Sequence, residues 1–146
     1  MSISIRVAEV RDFEQIHALN QQFSHFIKTP EKFMISMEDM IAEQDHFEIL
    51  VAEEDNGKIV AFATTFIAWY SWIGKSLYLD DLFVAEAYRG NGLGSKLMDA
   101  VISKAKEKGC KKIKWQVSRW NEKAIDFYKK KGAEIDNTEI NCDLIF

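Results

Sequence analysis

Tyr88-Arg89-Gly90-Asn91-Gly92-Leu93-Gly94 puts three glycines after an apolar run, Leu77 to Val84, and before Leu97, Met98, Val101, Ile102 and Ala105 at helical spacing. Glycines let a backbone approach a ligand closely, and a helix N-terminus offers unpaired N–H groups and the positive end of its dipole. A loop of this kind suits an anion, and a diphosphate is its natural guest. The spacing is not GxxxxGK[ST], which disfavours nucleoside triphosphate hydrolysis, nor does the loop follow the first strand of an alternating sheet, as a dinucleotide fingerprint requires. Asp80 and Asp81 lie just upstream on the preceding strand. Neighbours on a strand point to opposite faces unless a bulge redirects one, so the pair can present a negative charge to a cation.

Other chemistries find little support. Cys110 and Cys142 are the two cysteines, without CxxC spacing, and His17, His25 and His46 form no metal-ligand pattern, so no metal site is expected. The apolar stretch from Ile59 to Tyr70 is far short of the roughly 20 residues a bilayer requires, and no signal-peptide pattern opens the chain. No membrane association and a cytoplasmic location are therefore expected. Net charge is −4, divided unevenly: residues 1–85 hold 6 Lys+Arg against 14 Asp+Glu, and residues 86–146 hold 13 against 9. The basic stretch from Lys104 to Lys114 alternates with one helix's apolar stripe and reads as a solvated face, which argues against a nucleic-acid partner.

The 146 residues, 47% hydrophobic and 29% charged, suit one compact domain over 1–146. Ile3, Ile5 and Val7 alternate as a strand. Asp12 offers an N-cap to a first helix that ends near Thr29-Pro30, and Ser36 with Asp39 resembles a capping box for a second over about 36–44. Phe47 to Glu53 and Ile59 to Trp69 flank Asn56-Gly57, the signal of a type I′ hairpin, and Leu77 to Val84 completes an antiparallel meander. The glycine-loop helix closes at Lys108-Gly109, a strand over Lys112 to Ser118 follows, and Asn121 caps a last helix that ends at Gly132. Ala133 to Phe146 is expected to supply one or two closing strands. The order β-α-α-β-β-β-α-β-α-β describes an α/β mixed sheet, mostly antiparallel, with one parallel β-α-β unit and flanking helices.

Arg89-Gly90-Asn91-Gly92-Leu93-Gly94 resembles the R/Q-x-x-G-x-G/A loop of the GCN5-related N-acetyltransferase (GNAT) superfamily. Leu79-Asp80-Asp81-Leu82-Phe83-Val84 before it and Trp120-Asn121-Glu122 through Phe127-Tyr128 after it resemble that family's other two motifs, in order and distance. Within the superfamily the likeness is to the diamine (spermidine/spermine) and thialysine acetyltransferase group, and covers about residues 47–134. The N-terminal helices match it only in layout.

The resemblance implies acetyl-CoA as cofactor and transfer of its acetyl group to the primary amine of a small molecule: a polyamine, a diamine or a thialysine-like amino acid. It implies Tyr128 as general acid to the departing thiolate and Asp80 as the acid accepting the amine proton through water or binding the cation. Asp81 binds the acceptor or orients that water. Backbone amides of Arg89, Gly90, Asn91, Gly92, Leu93 and Gly94 would hold the pyrophosphate, while the main chain of Leu82, Phe83 and Val84 would pair with the pantetheine arm. Asn121 would contact that arm as well as cap its helix, and Lys130 or a neighbouring lysine would meet the 3′-phosphate. A homodimer is implied, the resembling group being dimeric. Trp69, Tyr70 and Trp72 could wall the acceptor tunnel, form a dimer contact or pack in the core. Where the group has an acidic residue before Trp72-Ile73-Gly74-Lys75, this chain has Tyr70-Ser71, so a long polyamine is not the sole candidate. An acyl-CoA-binding sensor with little turnover, or an enzyme acting on protein or peptide amines, are the alternatives.

Overall fold

A computed structural model describes residues 2–146. The chain forms β1 (Ile3–Val7), α1 (Phe13–Phe26), α2 (Met37–Ala42), β2 (Glu48–Glu54), β3 (Ile59–Tyr70), β4 (Gly74–Val84), α3 (Leu93–Glu107), β5 (Ile113–Lys114) and α4 (Glu122–Lys130). The sheet has order β1-β2-β3-β4-β5. It is antiparallel through β4, and β5 runs parallel to β4 after the α3 crossover. The residues group into two compact units, one ending at Trp115 and the other spanning Gln116–Phe146.

In the first unit the strand register sorts side chains to two faces. On one, Phe13, Ile16 and Leu19 of α1 and Met40 of α2 form a buried cluster with Ile49, Val51, Phe62 and Phe83. On the other, Leu50, Ala52, Ala61, Ala63, Leu77 and Leu79 are buried, and α3 contributes Leu93, Leu97, Met98, Val101 and Ala105. Two helices therefore close one face and α3 the other, matching the expected α/β mixed sheet.

Several local expectations hold and others change. Ser36 caps α2, its hydroxyl accepting from the Asp39 N–H at 3.0 Å while the Asp39 carboxylate accepts from the Ser36 N–H at 3.1 Å. Asp12 stands at the N-cap of α1 but does not cap it. Its carboxylate takes two hydrogen bonds from Arg6, at 2.7 and 2.9 Å, and one from the Glu9 N–H at 2.7 Å. The turn at Asn56-Gly57 is not type I′, because only Gly57 has positive φ (88°). A type I turn closed by Gly57 N–H to the Glu54 carbonyl, with Glu54 N–H bonding the Lys58 carbonyl, makes the connection instead.

The expected strand Lys112 to Ser118 shrinks to Ile113–Lys114, and no strand forms over 133–146. In the second unit Asp136 Oδ1 accepts from both the N–H and the hydroxyl of Thr138, at 3.0 and 2.8 Å. Such a side-chain turn competes directly with strand hydrogen bonding.

Candidate active site

β4 is built in two halves. It faces β3 through Leu79, opposite Thr65, and resumes at Asp81, opposite Thr64, so Asp80 is an extra residue in a β-bulge. The bulge decides how the two acids are presented. After it, Asp81 shares a face with Thr64, Phe66, Tyr70 and Tyr78, by register. Bulges bend a strand and increase its twist, and the parallel neighbour stops short of this one: β5 pairs only with Leu77 and Tyr78. Among the described residues no strand pairs with the second half of β4 on that side. Its main chain, including Leu82, Phe83 and Val84, is a sheet edge able to accept an extended, amide-bearing arm.

The two carboxylates differ. Asp81 is half-buried, and its carboxyl end is closed in and hydrogen-bonded by the Thr64 side chain. Desolvation, reinforced by the negative charge of Asp80, pushes its pKa up to about 7, and the Thr64 hydrogen bond offsets only part of this. Asp80 keeps an exposed surface, and partial desolvation raises its carboxyl. Burial also raises the Tyr78 phenol, with further contributions from Asp80, Tyr70 and Asp81, which places all four groups within electrostatic reach. Tyr78 stacks on Phe66 at 5.1 Å between ring centres.

Beyond β4 the chain turns through Glu86–Tyr88 into the glycine loop. Arg89 ties the loop back to the strand: its Nε donates to the Val84 carbonyl at 2.8 Å, and its guanidinium lies over the rings of Phe26 and Phe83, at 4.6 and 5.1 Å. Tyr88 adds a hydrogen bond to Glu54, a buried carboxylate on β2. Gly90 and Gly92 have φ of +83° and +78°, and a Cβ at either would meet no protein atom within 4 Å, so the backbone is open on that side. Gly92 is also the N-cap of α3 and has no side chain with which to cap it. No N-cap side chain closes the first turn of this 15-residue helix, whose leading N–H groups point past its start. These features fit the pyrophosphate and pantetheine arm of a coenzyme A thioester.

The other expected site residues lie in the second unit. Asn121 caps α4, its Oδ1 accepting from the Ala124 N–H at 3.2 Å. Tyr128 is buried, its ring edge-on to Phe127, and burial raises its phenol above the ordinary value. Lys130 is exposed at the end of the same helix. In the first unit the fold brings Asp80, Asp81, Leu82–Val84 and the loop from Arg89 to Gly94 onto one strand-turn-helix segment.

Sequence reasoning missed Thr64 and Glu54, and gave Tyr78 and Tyr88 no role of their own. Thr64 meets Asp81 only through a cross-strand register containing a bulge, which no local motif announces. Among the described residues, no group of three or more His, Cys, Asp or Glu is placed to hold a metal, and no helix is long and apolar enough to cross a membrane.

Residues 13–133 match the model of the Acetyltransferase (GNAT) family. Among curated proteins, the chain is 34% identical to the thialysine N-epsilon-acetyltransferase of Sus scrofa, over 94% of this chain and 87% of that one. It is 29% identical to the human spermidine/spermine N(1)-acetyltransferase-like protein 1, over 88% of this chain and 20% of that one. Among solved structures, an aminoglycoside acetyltransferase from an uncultured soil metagenomic sample, in complex with sisomicin, superposes with a TM-score of 0.80. It has 22% identity and covers 98% of this chain and 97% of that one.

Proposed function

Because the chain belongs to the GNAT acetyltransferase family, we propose that it transfers the acetyl group of acetyl-CoA to the primary amine of a small molecule by direct attack on the thioester. The observation that carries this reading is Asp81, a half-buried carboxyl near neutrality beside the unpaired half-edge of β4. A primary amine with pKa about 10.4 is neutral in only about one molecule in 2,500 at pH 7, a deficit of roughly 4.6 kcal/mol. At a pKa of about 7, Asp81 is roughly a thousandfold stronger as a base than an ordinary aspartate. Environment thus favours Asp81, rather than Asp80, as the group that takes the amine proton, with Asp80 attracting the incoming ammonium.

Bound acetyl-CoA supplies the carbonyl that is attacked and the thiol that departs. Amides of Arg89 through Gly94 bind its diphosphate, and the main chain of Leu82 to Val84 aligns the extended arm. Asn121 and Lys130 complete that binding. Tyr128 holds its proton through neutral pH and donates a hydrogen bond to the departing sulfur. The protein acts as a single domain and a cytoplasmic homodimer. Names of the relatives point to amino-acid and polyamine amines as acceptor classes.

The test is CoA release from acetyl-CoA against a panel of diamines, polyamines, amino acids and N-terminal peptides. Selective turnover that falls roughly 10²-fold or more in Tyr128→Phe and in Asp81→Asn supports the assignment. Tight acetyl-CoA binding with no acceptor raising the rate above hydrolysis would instead favour an acyl-CoA sensor.

A further inference from the structure

The glycine loop is held at its entrance by two consecutive residues that reach opposite faces of the sheet. Arg89 turns to the face of α1 and α2, where its guanidinium covers Phe26 and Phe83 and its Nε bonds the Val84 carbonyl. Tyr88 turns to the face of α3. There it borders a cavity together with Ile3 and Ile5 of β1, and its hydroxyl donates to Glu54, which stands opposite Ile3 in the β1–β2 register. Lys58 Nζ lies 5.4 Å from the centre of the Tyr88 ring and steadies the same side chain.

The turn that follows has little beneath it. Asn91 borders the same cavity, and a Cβ at Gly90 or Gly92 would meet no protein atom within 4 Å. Side-chain packing therefore does not hold this part of the loop in place, and its position depends on the tethers at Tyr88 and Arg89. Glu54 is buried, and its Oε1 has no hydrogen-bond partner among the described residues. A buried carboxylate oxygen left unpaired lowers stability. An apolar side chain of similar size would pack beside Ile3 without that penalty, so the fold alone does not call for an acid here; the Tyr88 hydroxyl does.

Resting on the acetyl-CoA reading above, we propose that Tyr88 and Glu54 are positioning residues for the cofactor diphosphate, the pair fixing the glycine loop on the α3 face as Arg89 fixes it on the other. Neither touches the reacting atoms. Their effect passes through the amides of Arg89 to Gly94, which converge on an anion only while the loop entrance is held.

Calorimetric titration with CoA and with pantetheine, which lacks the diphosphate, separates this role from a general loss of structure. Tyr88→Phe keeps the ring beside Lys58 and removes the tether, so it should weaken CoA binding about fivefold and leave pantetheine binding unchanged. Glu54→Leu should weaken CoA binding to a similar extent without lowering Tm. The double variant should bind CoA no more weakly than either single one, the signature of two residues acting as a unit. Glu54→Gln retains an acceptor for the hydroxyl and should keep most of the affinity. Unchanged CoA affinity in Tyr88→Phe, or equal weakening of CoA and pantetheine, would overturn the proposal and leave acetyl transfer standing. A wild-type protein that does not bind CoA would overturn both.

Discussion

Thr64 and Asp81 face one another across β3 and β4 as the pair adjoining the bulge, and the Thr64 side chain hydrogen-bonds the Asp81 carboxyl. The contact fixes the carboxyl on the aromatic face of the sheet, while Asp80, the extra residue, remains exposed. Two adjacent aspartates thereby acquire different surroundings from one inserted residue.

Asp81 predicts a pH profile. With its pKa raised to about 7, kcat/KM should rise with pH through about 7 as the carboxyl ionises, and Asp81→Asn should abolish that limb and lower kcat about 10²-fold or more. Stability moves oppositely. The folded state holds this proton more tightly than the unfolded chain, so the contribution is present below about pH 4 and is lost as pH rises toward 7. Asp81→Asn should therefore stabilise the fold by about 1–3 kcal/mol at pH 8, read by denaturant melts.

Tyr128→Phe keeps the ring and removes the proton. The expected outcome is a kcat loss of roughly 10² with little change in KM for acetyl-CoA, measured by steady-state kinetics. Since burial raises the phenol, the alkaline limb that it governs should lie above pH 10 in the wild type.

Gly92→Ala probes the anion loop without a clash, because a Cβ there meets nothing within 4 Å. Its left-handed φ should cost about 1–2 kcal/mol of stability in thermal melts. Meanwhile KM for acetyl-CoA should rise severalfold as a methyl group enters the diphosphate side of the turn. A change in kcat alone would contradict the role given to this loop.

A structural prediction lies far from the chemistry. Arg6 grips the buried Asp12 through two hydrogen bonds and reaches Glu53 at 2.6 Å, linking β1, the start of α1 and β2. The hydrogen bonds from Arg6 hold the Asp12 carboxyl below its ordinary range. This contribution is present above about pH 4 and disappears as pH falls through the lower folded-state value. Asp12→Ala leaves Arg6 without its main partner and should destabilise by about 2–4 kcal/mol at pH 7, with the difference from wild type narrowing in acid.

Much of this was readable in the residues themselves, for reasons that are local. The glycine loop, the Ser36 capping box and the helical stripe of α3 each depend on neighbours within a few positions, and each forms. Non-local geometry was hidden. Asp12 has the sequence of a cap, yet a guanidinium from β1 outcompetes the helix for it. Asn56-Gly57 marks the hairpin correctly, but Asn56 avoids the positive φ that a type I′ turn demands. Ala133 to Phe146 is expected from sequence to supply closing strands, whereas Asp136 and Thr138 within it bond one another instead. The sequence shows two adjacent acids but neither the bulge nor its partner Thr64, and with them the difference between the carboxylates.

Among the described residues, the early end of β5 leaves β4 flanked on both sides only around Leu77 and Tyr78, with an open edge beyond. Bare edges are where one chain zips onto another and aggregates, and proteins guard them with bulges and inward-facing charges. Asp80 and Asp81 supply both at the point where the edge opens. On the proposed reading the residues that handle the amine stand at this edge, and a chain with both aspartates neutralised is expected to aggregate as well as to stop turning over.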